Sequence, residues 1–283
     1  NYERVPDYLW IANQFAQTYC EDQLYEDLHS INTMDEPETH HRTNFYYNGK
    51  VRNWSIDFNA DGLWSDTKNT QVTKENVMEG VNEAEDRSVT TIDTKQNELY
   101  AAKLVLSHPF AKGNLSFGTE YSHNKRNTTY LNPEGIIADD EAMIKEGATS
   151  AFVEYAKALN QLQVQVGLRY EHVGFDCYDA GKLVDEQSKD YSNLFPSIML
   201  SFPIKDVQVQ LGYASDISRP SYHQLRSNTF YVNRYMYDKG NPFLMPSITH
   251  NVTLGASYKW MNLYVGYSHV KDEITNHTIE YSK

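Results

Sequence analysis

The chain has 283 residues, a formal net charge of −13 at pH 7 and a sequence pI near 5.2. An acidic balance argues against nucleic-acid binding, which needs a concentration of Lys and Arg on one surface. Hydrophobic residues make up 40% of the chain, but they never form an uninterrupted run of about 18. A helix that spans a membrane is therefore excluded, whereas membrane crossing by strands is not.

Residues 1–41 are the most acidic part of the chain, with nine acidic residues against one Arg. Apolar residues recur here at helical spacing after Pro6, which predicts a short helix. These residues are Tyr8, Ile11, Ala12, Phe15 and Tyr19. Because the polar face is acidic, packing or loop cover is favoured over a role at a membrane surface. We expect residues 1–41 to form an extracellular segment and residues 42–283 to form a separate strand-rich domain.

From residue 42 onward, apolar and polar residues alternate. In residues 161–172, one face takes Leu162, Val164, Val166, Leu168 and Tyr170, and the other takes Gln161, Gln163, Gln165, Gly167 and Arg169. The same alternation occurs in residues 54–59, 207–213 and 251–260. A period of two predicts β-strands with one apolar and one polar face.

The connections between the predicted strands alternate in length. Short turns are predicted at residues 48–50, 109–112, 160, 203–206 and 261–262, and long stretches at residues 65–96, 124–148, 174–193 and 217–246. Strands of about ten residues with all long loops on one side are typical of a transmembrane β-barrel. We therefore predict an all-β fold, an antiparallel up-and-down meander of about ten strands that forms part of such a barrel.

Residues 217–246, called the motif loop below, are rich in turn-forming residues. They contain Arg219-Pro220-Ser221-Tyr222 and Gly240-Asn241-Pro242-Phe243-Leu244-Met245-Pro246. Because proline lacks a backbone donor and fixes φ, the segment cannot be a central strand. We expect an ordered loop in which Arg219 binds a carboxylate or loop carbonyls. Gly240 is expected at positive φ, or in a turn that excludes a Cβ.

In the order of these motifs, with Leu225 between them, the chain resembles the late part of outer-membrane β-barrel proteins of the TonB-dependent-receptor-like kind, as found in Bacteroidetes-type bacteria. The resemblance implies a bacterial outer-membrane location, contact with lipid, and participation in solute uptake. It also implies a plug domain and a periplasmic energy-coupling protein, and no plug-like domain is recognisable in this sequence. Since Glu280-Tyr281-Ser282-Lys283 lacks the terminal aromatic residue usual in such barrels, we expect further strands to follow.

Chemistry-bearing motifs are absent from the sequence. It contains none of the common signatures of nucleophilic catalysis, zinc-protease chemistry or phosphate binding, so no enzyme activity, metal or cofactor is predicted. Arg226, Tyr231, Arg234 and Tyr235 in the motif loop are candidates for a stacking surface that binds a ligand. Packing among the loops explains these residues equally well.

Two alternatives remain open from the sequence. Cys20 and Cys177 either pair in an oxidising environment or stay as thiols. The chain could also be a secreted all-β adhesin or carbohydrate-binding module, because a soluble sandwich shows the same alternation. In a sandwich one set of apolar residues must meet in a dry interior, whereas in a barrel it must face lipid; the set is Val164, Val166, Leu168, Val209, Leu211, Val252 and Leu254.

Overall fold

The computed structural model describes residues 2–4, 9–20, 23–79 and 82–280, and their regular secondary structure is entirely β. The first strands are β1 (Tyr2–Arg4), β2 (Leu9–Cys20), β3 (Gln23–Asp35), β4 (Glu38–Val51), β5 (Trp54–Glu79), β6 (Asn82–Phe110), β7 (Gly113–Leu131) and β8 (Asp140–Leu159). They are followed by β9 (Leu162–Asp179), β10 (Lys182–Leu183), β11 (Lys189–Ile204), β12 (Val207–Ser218), β13 (Thr229–Asn233), β14 (Met236–Lys239), β15 (Ser247–Tyr258) and β16 (Met261–Lys271). No helix in these ranges is long and apolar enough to cross a membrane.

One antiparallel sheet contains 14 of these strands, and its main path runs β1-β4-β5-β6-β7-β8-β9-β11-β12-β15-β16. Strand β5 is long enough to pair with β4 along its first half and with β3 along its second half. Strand β2 extends this second half by pairing with β3, and β13 and β14 form a separate hairpin. Among the described strands, β16 pairs only with β15 and β1 only with β4, so no ladder joins the two edges. The predicted antiparallel meander is confirmed.

At one end of the sheet, five tight turns join neighbouring described strands. Each of them places at least one residue at positive φ, namely Arg52, Ala111 and Lys112, Asn160, Lys205, and Lys259. Positive φ at the central positions matches the strand twist in two-residue hairpins. The predicted turn at residues 48–50 is wrong: Asn48 and Gly49 pair inside β4, and the chain turns at Arg52-Asn53.

The predicted long loops are mostly strand. Residues 65–96 form the outer halves of β5 and β6, which pair as far as Glu79 and Asn82. Likewise, β7 continues to Leu131 and β9 to Asp179. Both faces of these extensions carry polar residues, so the two-residue alternation that marks the lower halves is lost. Their backbone donors and acceptors are nevertheless paired across the ladder, which is sufficient to define a strand.

The predicted N-terminal helix is also wrong, because residues 9–20 form β2 and pair with β3. Tertiary strand pairing outweighs a helical spacing that rests on only a few apolar residues. The side chain of Cys20 lies outside the described side chains, so its pairing is not tested there. Cys177 is a buried free thiol in the upper part of β9.

The two faces of the sheet differ in the expected way. Apolar side chains on the outer face are well exposed, with Val166, Leu168, Leu211 and Val252 between 38 and 49%. Val209 is the exception: it is buried between its paired neighbours Phe202 and Ala256. A sandwich needs these residues to meet in a dry interior, and they do not, so the structure contradicts the adhesin alternative. An exposed apolar face of this kind suits contact with lipid.

The polar face is the inner one, since it carries the residues that the motif loop contacts. Gln163, Gln165, Gln208, Gln210, Asn251 and Thr253 share this face by strand parity. A bilayer crossing takes about ten residues of tilted strand. Counted from the tight turns, the crossing ends near residues 123 and 150 in β7 and β8. The strand extensions above these levels lie outside the membrane.

Substituting Val166 with Arg should cost more stability than substituting Gln165 with Arg. Val166 faces outward about halfway along the crossing, where a buried guanidinium costs about 2–4 kcal/mol, whereas Gln165 faces the inner, polar side. Urea unfolding in lipid vesicles measures both variants against wild type. Equal losses at the two positions would show that the faces are assigned wrongly.

Candidate functional site

The motif loop folds back across the inner face of the sheet. Its side chains bind carboxylates on three different strands: Glu171 on β9, Glu146 on β8 and Glu75 on β5. Each of these glutamates points inward on its strand, so the loop lies against the inner wall. The predicted ordered loop is thus observed, and acidic residues on the wall hold it there.

Arg219 makes the first of these attachments. Its guanidinium donates a hydrogen bond to Glu171, which is only 3% exposed, and it lies 3.8 Å from Glu146. The other oxygen of Glu171 accepts a hydrogen bond of 2.8 Å from Arg169. The expected bond from Arg219 to a carboxylate is therefore present. Two guanidinium groups compensate one buried carboxylate, as the cost of burying a charge requires.

Tyr222 makes the second attachment. Its hydroxyl donates to Glu146 at 2.9 Å and accepts a hydrogen bond from Asn124 on β7. The guanidinium of Arg126 lies 5.0 Å from the centre of the tyrosine ring, within cation–π range. Burial, together with the neighbouring Glu146 carboxylate, raises the pKa of Tyr222 well above its usual value. The hydroxyl is therefore a permanent donor at neutral pH.

Tyr231 and Arg234 make the third attachment, to Glu75. The tyrosine hydroxyl donates to Glu75 Oε1 at 2.8 Å, and so does the backbone N–H of Arg234, at the same distance. Arg234 Nε reaches Oε2 at 3.1 Å. Glu75 and Tyr231 are 2% and 3% exposed. Both oxygens of a fully buried carboxylate are thereby satisfied by one short stretch of the loop.

Arg226 stabilises the loop internally. Its guanidinium carbon lies 3.3 Å from the centre of the Phe230 ring, and its Nη2 donates to Asp238 at 2.8 Å. The same nitrogen lies 2.6 Å from His223 Nε2. Burial and the charge of Arg226 lower the pKa of His223 below its ordinary value, despite Asp238 nearby. His223 is consequently neutral at pH 7 and can accept this hydrogen bond.

Gly240 lies where two parts of the loop touch. It does not have positive φ, so that form of the expectation is wrong, but a Cβ there would meet Gln224 O at 2.6 Å and Arg226 O at 2.7 Å. The alternative form, a position that excludes a Cβ, is the one observed. Asn241 continues the contact because its N–H donates to Gln224 O at 2.6 Å. Close backbone approach explains the glycine.

The prolines and two apolar clusters complete the packing of the loop. Pro242 and Pro246 are buried, and Pro220 is half-buried. Tyr231 packs with Val89, Tyr130 and Ile137, and Leu225 packs with Phe175 and Cys177. The loop thus has an apolar contact beside two of its carboxylate attachments, those of Tyr222 and Tyr231.

A cavity of about 110 Å³ remains between the loop and the inner faces of β6 to β9. Its wall is formed by the strand extensions and its cover by residues 222–230 of the loop. The lining combines acidic groups, basic groups and aromatic rings: Asp93, Lys95, Arg126, Asp140, Tyr178, Asp179, Tyr222, His223, Arg226 and Phe230. This mixture suits a small polar ligand.

The four ligand candidates named from the sequence are placed differently. Arg226 lines the cavity, whereas Tyr231 and Arg234 are engaged with Glu75. Tyr235 is 51% exposed, and the structure does not bring it to the cavity. Sequence reasoning missed the glutamates, because a Glu on the polar face of a strand looks the same whether water or an Arg faces it. No cluster of potential metal ligands occurs in the described ranges.

Replacing Glu171 with Ala should destabilise the protein by about 1–3 kcal/mol, because two guanidinium groups lose a buried acceptor. Arg219 keeps 35% of its side chain exposed, so water compensates part of the loss. Glu154→Ala, on the same face but exposed, is the matched control and should change stability by less than about 0.5 kcal/mol. Urea unfolding measures both. A loss at Glu154 as large as that at Glu171 would contradict the anchoring role.

Replacing Gly240 with Val should cost about 1–3 kcal/mol, since the added side chain must displace backbone atoms. Lys239→Ala, one residue away and exposed, is the control and should be nearly neutral. The midpoint of thermal unfolding, together with limited proteolysis of the loop, measures the difference. Unchanged loop protection in Gly240→Val would refute the close-packing explanation.

The chain is similar to several solved structures. One is the copper transporter OprC, with 9% identity, a TM-score of 0.46 and coverage of 86% of this chain and 51% of that one. Another is the ferric yersiniabactin uptake receptor FyuA from Yersinia pestis, with 11% identity, a TM-score of 0.47 and coverage of 94% and 49%. A further one is the ferric citrate transporter FecA, with 9% identity, a TM-score of 0.42 and coverage of 93% and 53%. The chain thus spans about half the length of these structures. No curated protein matches it significantly.

A family model matches residues 46–283, which include β5 to β16 and most of the chain. The matched region contains the meander, its apolar outer face and the motif loop. Proteins of the family that this model represents are located in the bacterial outer membrane. The chain belongs to the Outer membrane protein beta-barrel family.

Proposed function

We propose that the chain is part of the barrel of an outer-membrane transporter of the TonB-dependent-receptor type, which takes up a solute and catalyses no reaction. The observation that carries the proposal is the motif loop, which is bound along the inner wall and covers a cavity of mixed charge. A loop folded inward narrows the lumen and places recognition groups on the path of a solute.

The wall itself supports the same proposal. Polar side chains such as Gln165 and Asn251 face inward, and apolar ones such as Leu168 and Val252 face outward. Polar lumens and apolar outer bands are the arrangement of barrels that enclose an aqueous path. A plain membrane anchor does not need such a lumen.

Partners and origin are part of this proposal. Energised uptake requires a plug domain and a periplasmic energy-coupling protein, and we propose both for the complete protein. We also propose a Bacteroidetes-type source, which rests on the motif order in the loop. The division into an N-terminal segment, residues 1–41, and a barrel part, residues 42–283, stays a proposal; β1 and β3 pair with strands of the barrel part.

Uptake by intact cells tests the proposed function. Cells that lack the protein should fail to deplete at least one small solute from a defined mixture that wild-type cells take up, and restoring the gene should restore depletion. A protonophore should abolish the difference, because an energy-coupled transporter depends on the proton gradient. Mass spectrometry of the medium gives the readout. Identical depletion by both strains would contradict a transport role.

A further inference from the structure

The cavity under the motif loop is lined by three charged groups, Asp140, Asp179 and Arg126, that form no ion pair within the described part of the chain. We propose that it binds a small zwitterion, whose ammonium group lies at Asp140 and Asp179 and whose carboxylate lies at Arg126. This proposal deepens the proposed function by naming the class of solute. Only the biological role of binding, and not the binding itself, rests on the proposed function.

One end of the cavity is acidic. Asp140 and Asp179 line it, and neither forms an ion pair within the described part of the chain. Burial and the nearby charge of Asp179 raise the pKa of Asp140. Two carboxylates that repel each other in a partly buried place are stabilised by a cation between them.

A third carboxylate at this end is buried and incompletely bonded. Asp93 is 5% exposed, and its Oδ2 pairs with Lys95 at 2.9 Å. Its Oδ1 is buried without a hydrogen-bond partner. An unsatisfied carboxylate oxygen beside a cavity is an acceptor for a ligand N–H, because leaving it bare is costly.

The other end of the cavity offers a guanidinium group. Arg126 lies against the ring of Tyr222, and none of the described residues accepts a hydrogen bond from it. Arg226, also in the lining, has a buried Nε without a partner. A guanidinium fork matches a carboxylate in geometry and charge.

The spacing of the two ends suits one small molecule. Asp140 pairs with Tyr130 and Arg126 pairs with Ile144, so they lie four residues apart along the ladder, about 13 Å at 3.3 Å per residue. Their side chains span part of this distance and leave a gap of several ångström between the charges. Thr128 and Ala142, paired between these levels, are small and leave the space open.

The volume and the charge balance of the cavity restrict the classes of ligand that it can bind. A cavity of about 110 Å³ is several times larger than the roughly 10–15 Å³ that one water molecule needs, so it has room for a small molecule such as a dipeptide. A simple anion would meet Asp140 and Asp179, which have no cationic partner, and a simple cation would meet Arg126, which has no anionic one. A molecule that carries both charges satisfies both ends, whereas a neutral sugar leaves them uncompensated.

Calorimetric titration of the purified protein in detergent with glycylglycine tests this site. Saturable binding is expected. N-acetyl-glycylglycine, which lacks the ammonium, and glycylglycine amide, which lacks the carboxylate, should each bind about tenfold to a hundredfold more weakly, because each loses a charge-assisted contact. Glucose, as an uncharged polyol, should not bind.

Two variants and two matched controls locate the binding. Asp140→Asn and Arg126→Gln should weaken glycylglycine binding at least tenfold, whereas Asp185→Asn and Arg52→Gln, in exposed turns, should leave it unchanged. Circular dichroism verifies that all four retain the β fold. The proposal is overturned if glycylglycine does not bind, if the capped probes bind equally well, or if glucose binds in preference.

These measurements are independent of uptake. Normal binding with no uptake by cells would count against the transporter proposal alone. Normal uptake with no binding of glycylglycine would count against this site alone.

Discussion

Three inward-facing glutamates determine how this molecule is built. Glu75, Glu146 and Glu171 lie on different strands, and each binds a side chain of the motif loop. A carboxylate that is removed from water needs charged or hydrogen-bonded partners, and removing one partner leaves an uncompensated charge. The loop therefore has one favoured position on the wall. That position creates the cavity, because the covering residues are held above the strand extensions instead of collapsing onto them.

The sheet supplies what these contacts require. Its outer face is apolar and its inner face polar, so a one-residue slip in register would turn each of the three glutamates to the outer face and the valines of the crossing inward. Lipid contact thus fixes the register, and the register places Glu75, Glu146 and Glu171 where the loop can reach them. The long extensions of β6 to β9 beyond the membrane then form the wall of the cavity. They are held by backbone pairing, which places few demands on the sequence.

The sequence allowed the strands that cross the membrane to be predicted, because there one face is selected by lipid and the other by water. Residues 161–172 show this, since all but the first of them lie in β9. It did not allow the extensions to be predicted, since both faces of residues 65–96 are wet and their alternation is absent. Turn chemistry was only partly informative: Asn48-Gly49 has the composition of a tight turn but lies inside β4, and Arg52-Asn53 adopts the turn instead. In the candidate site, proline and glycine marked the loop, whereas the wall residues that receive it carried no local signal.

The attachment of Tyr231 to Glu75 joins residues that are 156 positions apart in the chain. Five hairpins at the tight-turn end of the described sheet, by contrast, close through turns of two residues. Contacts between distant residues carry the larger entropic cost of closing the intervening chain, so they form after local ones. The motif loop must consequently dock last, once β5 and β9 are already in register. Docking requires that all three glutamate-bearing strands are correctly paired. A barrel assembled in the wrong register would therefore leave the motif loop undocked and accessible to proteases at the cell surface.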